Sequence, residues 1–189
     1  MHPAVIHPIE SAVSGGELSG LLHAISFAAA KHRNQRRKDK DASPYINHPI
    51  ELATLLNTVG GISDLAVLQA AILHDTVEDT DTSYEELLEH FGRRVADIVM
   101  EVTDDRRLEK PRRKALQIEH APHASREAAL VKLADKICNL RDVAHAPPDR
   151  WSLERRQEYF DWARQVVDGL PEVSEPLLAA FREALSHRP

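Results

Sequence analysis

An apolar run, Leu65 to Leu73, passes directly into His74-Asp75-Thr76-Val77-Glu78-Asp79-Thr80. Residues three and four apart share a helix face. A helix continued through this stretch therefore sets His74 over Glu78, Asp75 over Asp79, and Asp75 near Glu78. Three carboxylates that close repel one another, and burial makes the repulsion worse. A divalent cation removes the conflict, because imidazole and carboxylate together suit a borderline-to-hard metal. The bland alternative is a solvated helix end rich in acids. The helix macrodipole counts against it, since anions are favoured at the opposite end.

The rest of the chain supplies a helical frame for this cluster. Helix-period apolar faces are expected over about Glu17 to Arg33, Pro49 to Val59, and from a start capped by Ser63. A helix from Thr82-Ser83 stops at Phe91-Gly92 and another carries Val95, Ile98, Val99 and Val102. A short one ends near His120. Further helices cover about Arg126 to Ala144, Trp151 to Asp168 and Glu175 to Ser186. The first is expected to turn Leu18, Leu21, Leu22, Ile25, Ala28 and Ala29 inward, and the one from Trp151 to turn Tyr159, Trp162, Val166 and Val167 inward. No segment alternates with period two, so the fold class is all-α. Residues 1–16 carry little periodicity and read as a loose N-terminal segment before a single domain over 17–189.

Charge and cysteine usage narrow the function. There are 24 Lys and Arg against 30 Asp and Glu, a net charge of −6, so a general nucleic-acid coat is excluded. Anions must be met by local basic clusters. Two exist: Lys31 to Lys40, and Arg106, Arg107, Lys110, Arg112, Arg113 and Lys114. Each reads either as solvated surface or as a phosphate grip. One cysteine, Cys138, cannot form an internal disulfide, no apolar run approaches the ~20 residues of a membrane span, and no signal peptide is evident. A cytoplasmic location is expected. His48 precedes Pro49 at a helix entrance, where it can turn inward or cap. Asp135 lies between Val131 and Cys138 on an apolar helix and needs a partner, a metal or a basic side chain. His32 continues an apolar face; a lone histidine there is more often a satisfied core residue than a ligand.

Six blocks in order resemble one family: Arg37-Lys38, Pro44-Tyr45-Ile46-Asn47-His48-Pro49, Leu73 to Thr80, Phe91-Gly92, Glu101-Val102-Thr103, and Lys132-Leu133-Ala134-Asp135-Lys136-Ile137-Cys138-Asn139-Leu140-Arg141. They resemble the hydrolase domain of the RelA/SpoT homologues, a branch of the HD superfamily, and most of all its stand-alone small alarmone hydrolases of the metazoan SpoT-homologue type. The resemblance implies an HD-type helical bundle of about 8–10 helices. It implies Mn2+ held by His48, His74, Asp75 and Asp135, with Glu78 and Asp79 acting on water. Arg37, Lys38 and Asn139 match substrate contacts, and Lys110, Arg155 and Tyr159 resemble further ones. The implied reaction removes the 3′-pyrophosphate of guanosine 3′,5′-bis(diphosphate), ppGpp, giving GDP and pyrophosphate. Two other readings keep the site: a phosphatase for the 2′-phosphate of NADPH, and a metal-dependent module that binds alarmone without cleaving it. The loop Asp39 to Ser43 is longer than in long family members, a departure that bears on base recognition.

Overall fold

The computed structural model describes residues 15–189, so the expected loose segment lies outside the described residues except for Gly15 and Gly16, which open the first helix. The described residues form nine α-helices and one short 3-10 turn, with no strand. They are α1 (Gly15–Lys31), α2 (Asn47–Thr58), α3 (Leu65–Leu73), α4 (Thr76–Asp79), α5 (Tyr84–Val102), α6 (Lys110–His120), α7 (Arg126–His145), α8 (Leu153–Gly169) and α9 (Glu175–Ser186).

α7 is the axis of the bundle. It packs against α2, α3, α5, α8 and α9. Leu130, Leu133, Ala134, Ile137 and Leu140, its expected apolar face, are all at most 1% exposed. Ser125 caps α7 by accepting from the Ala128 amide, and Ser83 caps α5 through Glu86. These side-chain acceptors satisfy amides that a helix start leaves without intrahelical partners.

Two local readings need correction. α3 is capped by Asp64, whose carboxylate accepts from the Ala66 amide, and not by Ser63. Asp64 also takes both guanidinium nitrogens of Arg94, a long-range pairing that fixes which of the two polar neighbours serves. Leu18 and Leu22 on α1 are 51% and 54% exposed; Ala24 and Ala28 form its buried stripe. Small residues let α1 lie close against α3, as at Gly20, whose carbonyl accepts from Gln69. On α8, Phe160 and Ala163 join Val166 and Val167 in the core, and Tyr159 and Trp162 pack against it partly buried, so the expected inward face is present. The stop expected at Phe91-Gly92 is present: the span given as α5 is two helical segments that meet at a kink there. Gly92 sits at φ 79° inside α5 and kinks it, a backbone region open to glycine at little steric cost.

Candidate active site

The continuous helix expected through Asp79 does not exist. α3 ends at Leu73, Asp75 takes φ −98° and ψ 0°, and α4 is a separate single turn. Thr76 holds the break by donating its hydroxyl to the Leu73 carbonyl. Neighbouring residues of an unbroken helix point about 100° apart. The break removes that divergence and brings His74 Nε2 within 2.9 Å of Asp75 Oδ2.

Three elements converge on this point. α2 brings His48 in its first turn, the α3–α4 break brings His74 and Asp75, and α7 brings Asp135. One ligand atom each from His48, His74 and Asp135 lies within 4.8 Å of the others. His48 Nε2 is 3.2 Å from Asp135 Oδ1, and His74 Nε2 is 3.9 Å from the same oxygen. His74 Nδ1 donates to the Ala71 carbonyl at 2.8 Å, which puts its proton there and leaves Nε2 bare. Nε2 is buried and makes no hydrogen bond; the 2.9 Å approach of Asp75 lacks the geometry for one. A histidine oriented this way through its other nitrogen is the usual arrangement of a metal ligand. Without a cation, burial opposes a charge on His74 but the Asp75 and Asp135 carboxylates raise its pKa to about 9, so the pocket favours at Nε2 a positive charge that a bound cation would supply. Asp75 and Asp135 are held well below the usual carboxylate range despite burial, Asp75 by His74 and Asp135 by Lys136, His48 and His74. Two buried imidazoles and two ionised carboxylates fit a divalent cation.

Asp75 Oδ2 also accepts from the Tyr45 hydroxyl. Asp135 is shared: Asn139 Nδ2 donates to Oδ1 at 2.6 Å and Lys136 Nζ to Oδ2 at 3.0 Å. The basic partner expected as the alternative to a metal is thus present alongside the histidines.

Glu78 and Asp79 lie on α4 beside this centre. Arg113 and Arg106 approach Glu78 at 3.2 and 3.5 Å, yet burial and the Asp75, Asp104 and Asp79 carboxylates outweigh them and push Glu78 up to about 6. Asp79 is paired with Arg106 on one oxygen and accepts from Gln35 on the other at 2.8 Å.

Beyond the centre opens a cavity of about 630 Å³ lined by Lys110, Arg113, Lys114, Trp151, Arg155, Tyr159 and Trp162 among others. Lys136 joins the two: its Nζ lies 4.7 Å from the Trp162 ring while bonding Asp135. Burial lowers Lys110, and the nearby Arg155, Lys38 and Arg113 lower it further; Lys114 is lowered by burial and by Lys110. An anion beside these cations would relieve their mutual repulsion. Of the expected substrate contacts, Lys110, Arg155 and Tyr159 line this cavity; Lys38 is exposed and acts on Lys110 only through its charge. Arg37 and Asn139 are less free: Arg37 donates to Asn139 Oδ1 at 3.1 Å and to Asp142. Sequence reasoning missed Lys136, Lys114, Trp151 and Trp162. Lys114 belonged to a noted basic run; nothing local marks the other three.

A helical bundle with paired histidines and aspartates at its axis is the layout of a metal-dependent hydrolase centre. The HD domain family model matches residues 24–161. The human guanosine-3′,5′-bis(diphosphate) 3′-pyrophosphohydrolase MESH1 is 56% identical over 174 residues, covering 92% of this chain and 97% of the human one. The Xenopus tropicalis MESH1 is 60% identical over 150 residues, 79% of this chain and 84% of its own. A solved structure of a metazoan orthologue of SpoT, described as hydrolysing ppGpp and acting in starvation responses, matches with a TM-score of 0.88. It is 46% identical, and the match covers 94% of this chain and 98% of that one. The chain belongs to the HD-domain family and, within it, to the MESH1 branch.

Proposed function

We propose that this protein hydrolyses the 3′-pyrophosphate of ppGpp to GDP and pyrophosphate, with Mn2+ as its metal. The observation that carries this is a buried His48, His74 and Asp135 cluster joined through Lys136 to a neighbouring basic, aromatic cavity. His48, His74, Asp75 and Asp135 would hold the cation, which when bound lowers the pKa of a water and offsets charge on the phosphoryl group. Glu78, with its carboxyl poised near neutrality, and Asp79 accept the water's proton. Lys110, Arg155 and Lys38 take the phosphates, whose charge a net-negative chain otherwise repels. Tyr159, Trp151 and Trp162 offer ring faces to the purine, and Arg37 with Asn139 closes the nucleoside end. The substrate is a small nucleotide and not nucleic acid. No described helix is long and apolar enough to cross a membrane.

Purified protein with Mn2+ is offered ppGpp and NADPH in parallel, and products are separated by ion exchange. GDP and pyrophosphate in equal amounts are expected from ppGpp. Phosphate release from NADPH with ppGpp untouched would replace the substrate. Saturable ppGpp binding without product would make the protein a sensor.

A further inference from the structure

His32 is 3% exposed and is not a member of the ligand cluster. Its ring lies against Tyr45, centroids 4.7 Å apart, and its Nδ1 is 2.7 Å from Gln35 Oε1. Gln35 Nε2 in turn donates to Asp79 Oδ2 at 2.8 Å. The direction of every proton in this chain follows from its far end. The Asp79 oxygen accepts here, so the amide nitrogen of Gln35 faces Asp79. Its carbonyl oxygen then faces His32, and Nδ1 of His32 must carry the proton. His32 Nε2 is left bare, in agreement with its being buried without a partner. The Nδ1–H of His32 thus prevents the Gln35 amide from flipping, and the amide fixes one oxygen of Asp79.

The backbone makes this an anchor. Gln35 donates its amide to the His32 carbonyl at 2.8 Å and accepts from the Tyr45 amide at 3.2 Å. The other Asp79 oxygen is met by Arg106, whose side chain is 57% exposed. The exposed arginine is free to leave and the glutamine is not.

We infer that Gln35, aligned by His32, is a positioning residue that aims Asp79 at the attacking water. This rests on the proposed role of Asp79, and the test separates the two. Mn2+-loaded protein carrying Gln35→Met, Asp79→Ala or both is assayed for ppGpp hydrolysis and metal content. Gln35→Met keeps side-chain length and removes the donor. A hydrogen bond to a charged group is worth about 1.5–3 kcal/mol, so kcat should fall about 10- to 100-fold, with KM and Mn2+ stoichiometry unchanged. In the Asp79→Ala background the same change should cost nothing, since Gln35 then has no carboxylate to aim. His32→Phe, which keeps the ring against Tyr45, should give a smaller loss that also vanishes in that background. Equal losses in both backgrounds, or loss of Mn2+ with Gln35→Met, would overturn the inference. Full kcat in Asp79→Ala alone would instead remove the catalytic role of Asp79.

Discussion

Glu78→Gln should make the protein more stable and less active at once. In the folded protein Glu78 titrates at about 6, against an ordinary value of 4.5. The folded state therefore binds more protons between these two pH values, and wild-type stability falls as pH rises through that window. A displacement of 1.5 units, 6 minus 4.5, corresponds to about 2 kcal/mol at most. The carboxylate is partly solvated, so screening brings this to about 1 kcal/mol. Glutamine carries no charge and escapes the penalty. In metal-free protein at about pH 8, Glu78→Gln should melt about 2–4 °C higher than wild type. At pH 4.5, with Glu78 protonated, most of the gain should be absent. Added Mn2+ should shrink the gain at pH 8, because a nearby cation relieves the carboxylate. In single-turnover assays the variant should retain Mn2+ and lose about 10²- to 10⁴-fold in rate. A variant no more stable than wild type at pH 8, and equally active, would refute both halves of the reasoning. One that loses Mn2+ would make Glu78 a ligand.

Asp135→Ala should abolish Mn2+ binding, measured by metal analysis, because it removes the carboxylate that faces both histidines; His32→Ala should keep the metal. Saturating Mn2+ should raise the melting temperature and EDTA reverse it, with about 2.7 kcal/mol gained at a hundredfold excess over Kd. Lys114→Gln should raise KM for ppGpp with less effect on kcat, and a filter-binding assay with random duplex DNA at physiological salt should show no retention. Gly92→Ala should cost about 1–2 kcal/mol in urea unfolding, because alanine is strained at φ 79°.

Helices whose signals are local were legible. α9 spans Glu175–Ser186 as its periodicity indicates, and Ser125 caps α7 because its hydroxyl needs only an amide three residues on. Readings failed where a distant group decides. Asp64 displaces Ser63 as cap because Arg94 also uses it. Leu22 is exposed because α1 approaches α3 through small side chains. His48, His74 and Asp135, named through the family resemblance of the blocks that carry them, do come together in the fold. The break that lets His74 and Asp75 face one point was not legible, since periodicity alone continues the helix. Lys136 between Asp135 and Trp162 is likewise a product of α7 meeting α8.

Because His74 and Asp75 are consecutive, one peptide unit ties them together, and the break sets a bite between them that no helix movement can widen. The other two candidate donors, His48 and Asp135, ride on separate helices, α2 and α7, which pack against each other. The aperture of the centre is thus adjustable on one side alone. Any change of ion size that selection or a designer wants must be written into the apolar seam between α2 and α7, well away from the donors themselves.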